Sequence, residues 1–334
     1  MIDTSTYTQL HSDGDTSANS FRLDNGLGSD AMASDRPPDG NFLILLPPTI
    51  YGYDMHEHRW RKLLVSNTAP VIWNKNSFEH LVLPQRTKDR LITVVTSMIS
   101  NGNVDNSTSG KSDGLVLLLQ GARESGKTFA AEAIAEFIER PLHRIDCVDI
   151  GNNVEKLERY LQFIFQIRTT WGCVVHLDDA NMFIKAGNAL MSVFLRFLKY
   201  YDGILIITSD HSVNMVEVIK SRIHVVLFFG DLDYSGRTKM WRNSVHGLQK
   251  TNFVANVDGL LDKVTVLAEL ELNARQIRDM IRKAICFANV RGETLDFSHF
   301  EAAMEAFYRG FIKNSIDIDS VGAFDAQPGD QRRD

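Results

Sequence analysis

The sequence predicts an α/β fold, a five-stranded parallel sheet covered by helices and followed by a C-terminal helical lid. Three observations carry that expectation. Short apolar runs alternate with amphipathic helical patterns across residues 113–232, the first run passes through a glycine-containing loop into a helix, and from Ser235 onward the pattern is helical throughout. Strand–helix units joined by short links demand parallel strands, and a parallel sheet is covered on both faces.

The first strand is Leu115–Gln120, a continuous apolar run. In the segment after it, Ala130, Ala133, Ile134, Phe137 and Ile138 recur at helical spacing until Pro141 stops the helix. Leu142–Ile150 reads as the second strand and Val154–Arg168 as the second helix. "CVVHLDD" is the third strand, Asn188–Tyr201 the third helix, "GILIITSD" the fourth strand and "IHVVLFF" the fifth. In the lid, Ile277, Met280, Ile281, Ala284, Ile285 and Ala288 share one helix face, and Phe297, Phe300, Met304 and Phe307 mark a last helix.

Residues 1–41 are rich in Ser, Thr, Asp and Gly with little apolar periodicity, so they are expected to remain disordered, as is the tail 313–334. The expected units are therefore the leader 1–41, an N-terminal extension with a helix leading into the core at 42–112, the α/β core at 113–232, the lid at 233–312 and the tail. A net charge of −6 argues against a general nucleic-acid binder, which needs a basic face. Apolar runs such as Leu115–Leu119 are strand length, far short of the ~18 residues of a membrane span. The N-terminus is acidic and polar, unlike a secretory or transit signal. Cys147, Cys173 and Cys286 are widely spaced, with no C-x-x-C, which fits a reducing intracellular compartment, cytoplasmic or nuclear.

The chemistry concentrates in Gly121-Ala122-Arg123-Glu124-Ser125-Gly126-Lys127-Thr128, a phosphate-binding loop pattern set between a strand and a helix. Backbone N–H groups of such a loop wrap phosphates, the helix start adds positive potential, the lysine reaches the terminal phosphates and the hydroxyl ligates Mg²⁺. A carboxylate at a strand end completes the metal site, and Asp178 in "CVVHLDDAN" supplies it, with Asp179 placed to polarise a water. Read alone, the aspartate pair is better explained as capping the following helix, and the upstream loop tips the reading to the metal site. "IITSD" brings Thr208, Ser209 and Asp210 to the same end of the sheet, and "KSRIH" offers Arg222 before the fifth strand. His56 and His58 lie two apart without a third ligand nearby, and His176 reads as a core histidine.

Taken together, the loop, the acidic pair, the polar strand end, the arginine and the lid resemble the AAA+ ATPases, most closely a group represented in filamentous fungi. The matching passages include "LPPTIYGY", "VIWNKNSFEHLVLP", "WGCVVHLDDANMFI", "NALMSVFLRFLKYYDGILIIT", "KSRIHV" and "LNARQIRDMI", and the resemblance spans about Phe42 to Phe311. It implies a P-loop NTPase sheet with a lid that binds ATP and Mg²⁺, often in homo- or hetero-oligomeric rings that remodel a protein partner. By the resemblance, Lys127 and Thr128 are Walker A, Asp178 and Asp179 are Walker B, and Asp210 holds the sensor 1 position. Arg222 is the finger offered to a neighbouring subunit, and Arg275 the candidate sensor 2 residue.

Five departures accompany the resemblance. Glu124 stands where the family loop has glycine, so if that position needs φ > 0 the residue costs about 1–2 kcal/mol. Asp179 replaces the usual glutamate and is one methylene shorter. Asp210 replaces an asparagine, and an ionised carboxylate cannot donate a hydrogen bond. "VDIGNNVEKL" lacks the aromatic pore loop of polypeptide-threading relatives, and only "IKAG" separates Phe183 from Asn188. Two functions follow: an ATPase with weak turnover, or a nucleotide-binding scaffold that has lost it. A small-molecule kinase or GTPase fits less well, because the lid is all helical and no N-K-x-D is present.

Overall fold

The computed structural model describes residues 1–11, 46–101, 114–151, 153–184, 189–210, 217–249 and 254–307. Five strands, β3 (Leu115–Gly121), β4 (Leu142–Asp146), β5 (Val174–Asp178), β6 (Ile204–Ser209) and β7 (Val225–Phe229), form one sheet in the order β4-β5-β6-β3-β7; β1 and β2 are the hairpin Thr49–Asp54 and Arg59–Leu64. Every pairing within the five-stranded sheet is parallel. β3 lies inside the sheet, between β6 and β7, and its residues are all buried.

Alternation along each strand divides the core in two. Val116 and Leu118 of β3, Val175 and Leu177 of β5, and Leu205 and Ile207 of β6 pack on one face. That face is covered by the helices Val154–Trp171 and Ala189–Tyr200, through Leu161, Ile164, Phe194 and Phe197. Leu115, Leu117, Leu119, Ile204 and Ile206 point the other way, against the helices Gln85–Asn101 and Lys127–Phe137. The lid has a separate core, in which Trp241 of the helix Tyr234–Leu248 meets Phe300 edge-on at 5.9 Å. Its helix Ala274–Arg291 starts with a capping box built by Asn273 and Gln276, and a last helix is under way at 297–307.

Two differences from the sequence reading have local causes. The second strand, expected to run to Ile150, stops at Asp146, whose carboxylate accepts the Val148 N–H and caps a helical turn, Cys147–Ile150. Within the leader expected to lack structure, Thr4–His11 is a helix. Asp3 caps it by accepting from the Thr6 N–H, and the same carboxylate accepts from Trp171 Nε1 at 2.8 Å. Tyr7 stacks on Tyr51 of the hairpin at 3.9 Å, so apolar ring contact supplies what the leader's own composition lacks. Residues 12–41, 185–188 and 313–334 of the expectations lie outside the described residues.

Candidate functional site

The loop after β3 is shaped by backbone demands at three positions. A Cβ on Gly121 would lie 2.3 Å from the Phe229 carbonyl oxygen, so close pairing with β7 requires glycine there. Gly126 caps the helix Lys127–Phe137 at φ 101°, and Glu124 adopts φ 65°. The left-handed conformation anticipated for Glu124 is therefore present, and the side chain reaches the lid. Arg275 Nη1 donates to Glu124 Oε1 at 2.7 Å, and Asn273 Nδ2 lies 3.4 Å from Oε2. Both partners are exposed, so the contact stabilises by about 0–1 kcal/mol, against a strain of about 1–2 kcal/mol. Glu124→Gly is accordingly expected to raise the urea midpoint slightly, whereas Glu124→Ala, which keeps the strain and loses the contact, is expected to lower it.

Lys127 Nζ donates to the carbonyls of Gly121 and Ala122, each at 2.7 Å. Burial pulls its pKa below the ordinary lysine value, and the carboxylates of Asp210, Asp178 and Asp179 work against that pull. Thr128 follows on the first turn, and its hydroxyl lies 3.4 Å from Asp178 Oδ2.

Asp178 is the best-held carboxylate of the site. Thr208 Oγ1 donates to Oδ1 at 2.6 Å, while Arg144 donates to Oδ2 through Nε at 3.0 Å and Nη2 at 2.6 Å. Burial alone would raise its pKa, but His176, Thr208 and Arg144 outweigh it and hold the group below the usual carboxylate range. Because burial drives His176 itself down to about 4, Thr208 and Arg144 carry that effect at neutral pH.

Asp179 adopts φ 54°, and its N–H donates to the same Thr208 hydroxyl at 2.9 Å. Asn181, the first residue of the short helix Asn181–Ile184, joins Asp179 to Asp210. Its Nδ2 donates to Asp179 Oδ1 and, at 3.1 Å, to Asp210 Oδ2, while its Oδ1 accepts the Asp210 N–H at 2.9 Å. Arg123 Nη2 lies 3.7 Å from Asp179 Oδ2. Beside this cluster a cleft of about 610 Å³ runs between the loop and the lid, lined by Ser125, Gly126, Phe129, Pro84, Lys239 and Arg278.

Lys127, Thr128, Asp178, Asp179 and Asp210 thus meet at the C-terminal ends of β3, β5 and β6, with Arg275 joined to the loop through Glu124. Arg222 is not among them. It lies exposed between the turn Glu217–Lys220 and β7, and its side chain makes no hydrogen bond or ion pair among the described residues. Arg144, Asn181 and Asn273 were not singled out from the sequence. Asn181 had a visible signal, an amide three residues after Asp178, whereas Arg144 is marked only by its cross-strand pairing with His176. His58 sits 4.9 Å from the His143 ring, and among the described residues no group of three or more His, Cys, Asp or Glu side chains is arranged to hold a metal.

This strand order, with a phosphate-loop pattern after β3 and a helical lid, defines a P-loop α/β domain of AAA+ architecture. Residues 117–231 match the family described as the ATPase family associated with various cellular activities (AAA). A solved structure described as the structural basis for katanin self-assembly superposes with a TM-score of 0.51 at 14% identity, over 70% of this chain and 85% of that one. No curated protein matches the sequence. The family match and the shared fold support an AAA+ ATPase. No helix among the described residues is long and apolar enough to cross a membrane.

Proposed function

We propose that the chain binds Mg·ATP between the loop 121–128 and the lid, and hydrolyses it slowly to remodel a protein partner. The observation that carries this reading is the convergence of the Lys127 ammonium, the Thr128 hydroxyl and the Asp178 carboxylate at one helix N-terminus. The fit rests on the residues themselves. Gly126, open on its Cβ side, leaves the loop backbone free to approach phosphates, the buried Ser125 hydroxyl has no partner among the described residues, and Thr128 with Asp178 forms the hard oxygen set that Mg²⁺ prefers. Magnesium bound there neutralises phosphate charge.

In this reading Lys127 holds the terminal phosphates, Asp179 orients the attacking water and Asp210 stands at the sensor 1 position. The apolar part of the cleft at Phe129 and Pro84 takes the base. Arg275 serves as sensor 2 once released from Glu124. Arg222, exposed and without a side-chain partner among the described residues, acts in a neighbouring subunit of a homo- or hetero-oligomeric ring. We place the protein inside the cell, in the cytoplasm or nucleus, because Cys147 and Cys173 are buried free thiols.

A second reading, a nucleotide-binding scaffold without turnover, is favoured by one observation, the Glu124–Arg275 contact that occupies the sensor 2 candidate. Calorimetric titration with Mg·ATP, run beside a phosphate-release assay on assembled protein, separates the two. Heat with phosphate release supports the ATPase, heat without it supports the scaffold, and neither removes both.

A further inference from the structure

We propose that Asn181 is a positioning residue of the ATPase, supplying from the helix after β5 the amide that position 210, just past β6, lacks. The inference rests on the ATPase reading above and extends it. Asp179 and Asp210 are two carboxylates brought together at neighbouring strand ends, where like charges would push each other apart. Neither can donate a hydrogen bond when ionised. Asn181 meets both needs with one carboxamide. Its two Nδ2 hydrogens are shared between Asp179 Oδ1 and Asp210 Oδ2, and its Oδ1 accepts the Asp210 backbone N–H.

The bridge has a fixed base. Thr208 Oγ1 accepts the Asp179 N–H and the Ala180 N–H donates to the Thr208 carbonyl at 2.9 Å, so the turn carrying Asn181 is tied to β6 from both sides. Asp179 is thereby held in its φ 54° conformation with one carboxylate oxygen fixed and the other, Oδ2, facing Arg123. The carboxylate at position 210 and the asparagine at 181 are thus two parts of one hydrogen-bonded arrangement.

The test is an exchange of the two residues. Asn181→Ala is expected to lower kcat for Mg·ATP by at least about 10-fold, within the ~10²-fold range for a misplacement of ~1 Å, while KM changes little. Asn181→Asp places three carboxylates together and is expected to lower kcat further. Adding Asp210→Asn to Asn181→Asp restores one amide between carboxylates and is expected to recover at least about 10-fold of that loss. Unchanged kcat in Asn181→Ala overturns the proposal while leaving the ATPase reading intact, and so does a double variant no faster than Asn181→Asp. Equal losses of kcat, ATP affinity and melting temperature in every variant assign Asn181 to folding alone and also overturn it. Wild-type protein that binds ATP without turnover, or does not bind it, overturns the ATPase reading and this inference together.

Discussion

Lys127→Ala is expected to abolish measurable phosphate release and to weaken ATP binding by about 10- to 100-fold. The affinity loss follows from a charge-assisted hydrogen bond of about 1.5–3 kcal/mol, and loss of one preorganised donor at a transferring group costs about 10²–10³-fold in kcat. The local electrostatics add to this. Lys127 faces three carboxylates, Asp178, Asp179 and Asp210, and without its ammonium a triphosphate would approach a cluster of negative charge. The fold should survive, because among the described residues Nζ bonds only to the carbonyls of its own loop. Circular dichroism, calorimetry and phosphate release on the same samples check each part, and a variant matching wild type in affinity and rate would refute the assignment.

The second large effect is on stability below neutral pH. His143 of β4 is fully buried against Tyr53, Phe163 and His58, and neither ring nitrogen has a partner among the described residues. Burial, reinforced by His58, pushes its pKa down to about 3. The unfolded chain binds a proton at this residue near pH 6.5, whereas the folded chain does not until near 3. Stability from this residue is therefore fully present above about pH 6.5 and is lost progressively as pH falls toward 3. At pH 5 the loss approaches about 2 kcal/mol for one such histidine. His176, driven down to about 4, acts in the same direction. Urea midpoints at pH 7.5 and pH 5 should show a clear fall in the wild type and a smaller one in His143→Phe. Equal falls in the two proteins would assign the acid sensitivity to other groups.

The inner strands β3, β5 and β6 were legible because each is a short, mostly apolar run buried almost along its whole length, so the composition of five to seven residues is enough, whereas the edge strands β4 and β7 expose alternate residues. The lid helix Ala274–Arg291 was legible because its buried face recurs with helical period and its cap, Asn273 with Gln276, is local. The leader helix was not. Its stability comes from Trp171 and Tyr51, partners far along the chain that no local pattern reveals. The same divide runs through the site. The loop 121–128 and the pair Asp178–Asp179 are spacings within a few residues and could be read directly. The role of Asn181 depends on Asp210 arriving from β6, and the hold of Arg144 on Asp178 depends on β4 lying beside β5. The need for φ > 0 at Glu124 could be posed from the loop pattern, but the lid contact that accompanies it could not.

The sheet order also sets the sequence of events during synthesis. Both partners of β3 come from much later in the chain: Leu115 pairs with Ile204, and Leu117 with Val225. A nascent polypeptide leaving the ribosome therefore carries β3, an apolar strand, and the glycine-bearing loop attached to it, long before anything exists for that strand to pair with. Until β6 and β7 emerge, that segment is a sticky surface of the kind chaperones engage. The loop can take its final shape only after the Phe229 carbonyl has closed against Gly121, so competence to hold a nucleotide is a late event of translation.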